Sequence, residues 1–530
     1  MNRELETASL KKKNLLMINP SRYRSKWSQV FGSIGLAALL TLTGCAVGPN
    51  FKPPETKVPE SYYSLDHTKP DPQVSQATSQ ASKVSQATSQ PAPKASQTTS
   101  QPVALVHWWQ SFHDPILDGL VNLALASNLD LQTAEARIRQ ARAARGMAVA
   151  GLFPQASGTA LYQRSHSSSA TVTSGGGVSF STLGPFQELF QVGLDASWEL
   201  DIFGGTRRNI EATTADLAAA VEDRRDVLVT LVGEVGNNYL NLRGFQEQVA
   251  IAKKNLAAQQ KTAEITHKRF DAGFVGKLDV ANADAQVATT AATIPVFQSS
   301  EQAAIYSIGV LLGKEPAFLA KELASKAPIP PTPPKVPVGL PSELLRRRPD
   351  IRRAEAQLHA ATARIGVAVA DLFPKFNISG SLGFAANDIT RVGTQNSKFW
   401  SFSPSATWPV FAAGKIVWNI RLQNALEEQA LLTYQQTVLT ALKEVETALV
   451  AYAKEQEHQK ALATAVASNR QAVDAAMKLY VAGKTDFLNV LNAQRSLFAT
   501  EDALIQSTRT LGTDLIALYK ALGGGWEQGG

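Results

Sequence analysis

Few of the residue types that do chemistry stand at spacings that would let them do it. The seven histidines (His67, His107, His113, His166, His267, His359 and His458) contain no pair at helical ligand spacing, and one cysteine excludes a cysteine-rich zinc site. Gly175-Gly176-Gly177 and Gly523-Gly524-Gly525 lack the lysine and the helix start of a phosphate loop, and no serine sits in a nucleophile elbow. Arg346-Arg347-Arg348 carries charge enough for a phosphate, but it flanks a helix, where ion pairs account for it better. The expectation is a chain that is not an enzyme, with no catalytic centre, no metal and no dissociable cofactor.

Cys45 is the exception. It follows Leu42-Thr43-Gly44, after a basic stretch (Lys11, Lys12, Lys13, Arg22, Arg24, Lys26) and an apolar run from Ile34 to Leu42 that is too short to span a bilayer. This is the pattern of an export signal that ends in a bacterial lipoprotein box, so Cys45 is expected to carry a covalent lipid. Met17 offers a second translation start within that signal. Residues 1–44 hold seven basic and two acidic residues, so their removal leaves 45 basic and 43 acidic, a net charge of +2 in place of +7. The basic balance therefore belongs mostly to the signal and does not point to nucleic acid.

The elements that would position any function come in two copies. Ala134-Glu135-Ala136 to Leu152-Phe153-Pro154 recurs as Ala354-Glu355-Ala356 to Leu372-Phe373-Pro374 in one register, each helix ending before a proline that forces extended chain. After Pro374, Phe376, Ile378, Gly380, Leu382 and Phe384 alternate with Asn377, Ser379, Ser381 and Gly383. A returning strand alternates Trp400, Phe402, Pro404, Ala406, Trp408 and Val410 with serines and Thr407. In the first copy Phe190, Val192, Leu194, Ala196, Trp198 and Leu200 alternate with polar residues, and the stretch from Ala156 to Arg164 is a weaker fourth strand. Period-two runs of about ten residues with aromatics near their ends have the length of membrane strands.

A helix starting at Asp114-Pro115 is expected to run to about Leu152. Thr206 to Phe270 contains no proline, and Val221, Leu228, Val235, Leu242, Val249 and Leu256 recur every seven residues, the seam of a coiled coil. Such a helix is ~97 Å long. It turns at Asp271–Gly276 and returns from Leu278 to about Leu312, with Pro295 inside; the second copy repeats this with a seam through Leu431, Val438, Val445, Tyr452, Val466, Val473 and Tyr480, a turn at Ala482–Thr485 and a last helix from Asp486 to Leu522. The expected layout is signal 1–44, lipid-anchored tether 45–63, low-complexity linker 64–102, first repeat 103–327, Pro-rich crossover 328–341, second repeat 342–522 and tail 523–530.

Four strands cannot close a barrel, and lipid tolerates no open sheet edge, so the chain must oligomerise. Two copies give eight strands, whose interior side chains fill; three give twelve, the smallest symmetric closure with room for a bore. The fold class expected is α+β: a trimeric twelve-stranded outer-membrane β-barrel, four strands per chain, continued by a long periplasmic coiled-coil α-barrel, with internal duplication.

On Leu42-Thr43-Gly44-Cys45 with Gly48-Pro49-Asn50-Phe51, Trp108-Trp109 with Phe112 and Asp114-Pro115, and above all Val338 through the Arg346-Arg347-Arg348-Pro349-Asp350-Ile351 run, the chain resembles the TolC-type outer-membrane factor family. The resemblance is to its lipoprotein, NodT-like subgroup, which serves efflux pumps of the resistance, nodulation and division class. It implies a passive homotrimeric exit duct for small molecules such as drugs, in the outer membrane and extending into the periplasm, met by a periplasmic adaptor and an inner-membrane pump. It implies adaptor docking at Gly273, Phe274, Val275, Gly276 and Lys277 and at Gly483, Lys484, Thr485 and Asp486. The constriction implied falls on Leu488, Asn492 and Arg495, with Asp279 and Asp284 as further charges; many relatives have aspartate where Asn492 stands. Protein export by type I secretion is the alternative cargo. A lipid-anchored coiled-coil scaffold is the structural alternative, but it has no need of Trp, Phe and Ile opposite Ser and Asn on its strands.

Overall fold

The computed structural model describes residues 46–55, 58–64, 106–166, 186–333, 336, 338 and 341–526. The signal, Cys45, most of the low-complexity linker and the loop between the first two strands lie outside the described residues. After a 3-10 turn (Trp108–Phe112) the elements are α1 (Pro115–Ser127), α2 (Leu129–Ala150), β1 (Gln155–His166), β2 (Phe186–Leu200), α3 (Gly205–Asp271), α4 (Lys277–Leu311) and a short α5 (Ala320–Leu323). The second run is α6 (Pro341–Arg347), α7 (Pro349–Ala370), β3 (Lys375–Ala386), β4 (Lys398–Thr407), α8 (Lys415–Val481) and α9 (Phe487–Ala521). Corresponding helices match in length: 22 residues for α2 and α7, 67 for α3 and α8, 35 for α4 and α9.

The chain divides into two compact units, one of them built on Val149–Asn209 and Ile365–Ile420. This unit holds one antiparallel sheet in the order β1-β2-β3-β4. Its register puts Phe190, Val192, Leu194, Trp198, Ile378, Leu382, Phe384, Trp400 and Phe402 on one face. The other face is laid out in rows: Gln155, Ser197, Ser379 and Ser403; Ser157, Asp195, Ser381 and Ser401; then Thr159, Gly193, Gly383 and Phe399. Leu194, Leu382, Trp400 and Phe402 stand exposed on the apolar face, and β1 and β4 have no further strand on their outer edges among the described residues. Pro404 sits on edge strand β4, the position in a sheet where a residue without an N–H is tolerated.

β4 ends at Thr407, three residues before the alternation does. Trp408 and Val410 keep the period, but Pro409 intervenes and the Trp408 indole N–H donates instead to the Leu372 carbonyl at 3.0 Å. Trp198, inside β2, makes the same bond to Leu152 at 2.9 Å.

The second unit comprises Asn50–Ala148, Ile210–Arg364 and Arg421–Gly530. Asp114 caps α1, accepting from the Ile116 and Leu117 amides, with Pro115 preset for the first turn. The expected single helix to Leu152 is two helices, broken at Asn128, whose buried side-chain oxygen accepts from the Leu131 amide at 2.8 Å and starts α2. α4 abuts this junction: Ser127 Oγ donates to the Leu312 carbonyl and Asn128 Nδ2 to that of Leu311. The main core gathers Trp108, Trp109, Phe112, Leu117, Val235, Tyr239, Leu242, Val445 and Leu515, with Trp108 stacked on Tyr519 at 5.4 Å. The α3 seam is buried from Leu228 to Val249, while its ends at Val221 and Leu256 are half-buried. Along α8, Leu422, Leu426, Leu432 and Leu439 are exposed in the single chain.

Candidate functional site

Both helical turns close in one way. At the end of α3 the Gly273 amide donates to the Phe270 carbonyl and the Phe274 amide to that of Arg269; at the end of α8 Gly483 donates to Tyr480 and Lys484 to Leu479. This pairing satisfies carbonyls the helix leaves open and needs a left-handed residue, supplied by Gly273 at φ +78° and Gly483 at φ +70°. The turns then differ in surface. The first exposes Phe274 at 75% and Leu278 at 73%, whereas in the second Phe487 turns inward and is 2% exposed.

Phe487 belongs to a small core at these ends with Ala263, Ala283, Tyr480, Val490 and Leu491. Tyr480 is held by three groups: its ring meets Phe487 edge-on at 5.7 Å, its hydroxyl reaches Thr266 at 3.2 Å, and the Arg269 guanidinium lies over it at 4.6 Å. Arg269 also donates to the Tyr480 carbonyl, which ties the α3 end to the α8 end. The heptad seam leads to Tyr480 but gives no sign of Arg269, because a lone arginine near a helix terminus reads as solvated.

The predicted constriction residues fall on α9 and α4. Leu278 and Leu488 occupy corresponding first-turn positions and both are exposed, as is Asn492 one turn on. Arg495 Nε donates to Gln286 Oε1 at 2.7 Å, so its partner is a neutral amide on α4. Asp284 bonds His267 Nε2 at 2.9 Å across the α3–α4 hairpin, and Asp279 lies in the first turn of α4. Sequence reasoning missed Gln494, which is buried and donates to Thr262 Oγ1 at 2.9 Å, and Glu501, which joins Arg470 at 2.7 Å to Asn255 at 3.0 Å. These side chains fix α9 against α3 and α8.

Cys45 lies outside the described residues, but the residues after it are fastened. The Val47 amide donates to the Phe203 carbonyl at 3.1 Å, and Arg208 donates to the carbonyls of Val47 and Gly48. Gly48, at φ +91°, rests so closely on Gly366 that any side chain there would strike its backbone. In the second unit Phe51 stacks on His359 at 4.4 Å, and Glu446 accepts from the Tyr63 and Ser64 amides. The described residues after Cys45 are thus held by hydrogen bonds and, at Phe51, by a ring stack.

Among the described residues no group of acidic residues, histidines or cysteines could hold a metal ion, and no helix is long and apolar enough to cross a membrane. The latter bears on helices only.

The sequence profile described as outer membrane efflux protein matches twice, over residues 120–314 and 340–524. The chain belongs to the outer membrane efflux protein family. One match falls on each run of helix, strand pair and long helix. Nodulation protein T of Rhizobium leguminosarum bv. viciae is 30% identical over 488 residues, 92% of this chain and 92% of that protein. The pyoverdine export outer membrane protein OpmQ of Pseudomonas aeruginosa is 33% identical over 434 residues, 79% of this chain and 87% of that protein. The solved outer-membrane channel OprN is similar at a TM-score of 0.78 and 36% identity, covering 91% of this chain and 100% of its own. The efflux protein is accordingly an outer-membrane protein, in a family made of channels and not of enzymes.

Proposed function

We propose that three copies of this efflux protein join edge to edge into a twelve-stranded barrel and serve as the passive exit duct of a tripartite pump. The observation that carries this reading is the open four-stranded sheet, apolar on one face and hydroxyl-rich on the other, with both outer edges unpaired among the described residues. In lipid every backbone group must find a partner, and only closure provides it. With the apolar face outward, the rows of Ser, Asn, Thr and Asp line water. The exposed leucines of α8 then find their cover on a neighbouring copy, continuing the bore through the periplasm as paired helices.

The turns at Gly273–Lys277 and Gly483–Asp486 meet a periplasmic adaptor, with Phe274 and Leu278 as its apolar contacts, and the adaptor couples the duct to an inner-membrane pump of the resistance, nodulation and division class. Cys45 carries the lipid, and the bonds of Val47 and Arg208 fasten the residues that follow it. The cargo is small molecules such as drugs. The purified protein in planar lipid bilayers is expected to give uniform conductance steps; a trimer-sized preparation that inserts without any step would overturn the duct.

A further inference from the structure

The hydroxyl-rich face of the sheet carries one aromatic side chain among the described residues, Phe399. Its register partner is Gly383, whose own partner on the next strand is Gly193. The ring lies across both glycines: a methyl group built on Gly383 would meet it at 3.0 Å, and one on Gly193 at 3.4 Å. Phe399 therefore rests against both glycine positions and is only partly exposed, whereas the adjacent Trp400, on the opposite face, is 81% exposed. A ring held against two glycines in this way has little rotamer freedom left to lose on binding.

One row along, about 7 Å by strand rise, stands Asp195. Its carboxylate accepts from the Thr159 hydroxyl at 2.8 Å, and no basic side chain pairs with it among the described residues. Ser157, Ser197, Ser379, Ser381 and Ser401 surround it in a wall groove of about 400 Å³. The groove thus offers a negative charge and a set of hydroxyls, with the Phe399 ring in the neighbouring row of the same face. An aromatic ring face attracts cations, and most strongly flat ones that can stack.

We propose that Phe399, seated on Gly193 and Gly383, forms with the Asp195 carboxylate a transient wall site for planar aromatic cations passing through the bore. The site rests on the duct reading, since only there does this face line the path of cargo. Three such sites, one per copy, would slow flat cationic cargo and leave small round ions unaffected.

The test is single-channel recording of the full-length lipoprotein with ethidium as the flat cation and tetraethylammonium as a cation without a ring. Phe399→Ala is expected to shorten the ethidium block roughly two- to tenfold, the range of one aromatic stack. Phe399→Tyr should restore it, Asp195→Asn should also shorten it, and tetraethylammonium block should be the same in wild type and Phe399→Ala. An ethidium dwell time that is unchanged in Phe399→Ala while conductance steps persist overturns the site alone. Absence of steps in the wild type removes the duct reading and the site with it.

Discussion

Asn128 donates its side-chain amide to the Leu311 carbonyl at 2.8 Å, and Arg348 donates a guanidinium N–H to the Ala521 carbonyl at 3.0 Å. The two donors are 220 positions apart and the two acceptors 210, the same offsets that relate the copies on either side of the strand pairs. Each copy thus ties the break between its first two helices to the end of its returning helix, once with an amide and once with a cation. Burial pushes the Arg348 pKa down, but the bonds and charges of Asp350 and Glu444, both at 2.7 Å, outweigh this and hold it above the ordinary value.

Arg348→Ala leaves two carboxylates and a carbonyl without their cation and is expected to cost about 3–5 kcal/mol, whereas Asn128→Ala should cost about 1–3 kcal/mol. Thermal melting of the purified oligomer checks the order of the two. Equal and small losses would mean that neither bond holds its junction.

At the constriction, Arg495→Ala removes the bond to Gln286 that ties α9 to α4 and is expected to raise single-channel conductance without loss of the oligomer. Asn492→Asp should raise cation selectivity, because three copies add three charges to one ring. Unchanged conductance and selectivity in both variants would reduce Leu488, Asn492 and Arg495 to ordinary helix residues.

Asp514 offers a test by pH. Burial, then the nearby charge of Glu455, pushes its pKa above the usual carboxylate value. A raised folded-state pKa favours the protonated group, so its stabilising share is complete below the unfolded value and is lost as pH rises through the folded one. Asp514→Asn is therefore expected to melt higher than wild type at pH 8, with the gain fading toward pH 4. A difference that is constant across this range would contradict the assignment.

Cys45→Ser should abolish acylation and leave the protein unanchored, and mass spectrometry of the wild type should find a lipidated N-terminus at Cys45. An unmodified Cys45, or residues 1–44 still attached, would remove the lipid from the account.

Much of this was legible from periodicity. The alternation in β1 to β4 located all four strands, the heptads located α3 and α8, and Gly273 and Gly483 marked both turns. The break at Asn128 was not, because the helical pattern of apolar residues continues across it and the bond that stabilises it reaches a carbonyl 183 residues away. The end of β4 was misplaced for a similar reason: Trp408 keeps the period, while its indole already bonds a helix end. At the constriction the helix face was readable, but the choice of Gln286 as the Arg495 partner depends on how α4 and α9 are rotated, which no local pattern records.

The central claim is closure of three open sheets into one barrel, and disulfide cross-linking tests it most directly. Cysteine pairs joining Ser157 or Thr159 on β1 to Ser401, Ser403 or Ser405 on β4 lie on opposite edges of the chain's own sheet, so any bond between them must link different copies. Each single substitution serves as the control. At least one pair is predicted to give bands of two and three chains on a denaturing gel and nothing larger. Failure of every pair to cross-link in the membrane, or a ladder that continues past three chains, would contradict the twelve-stranded trimer.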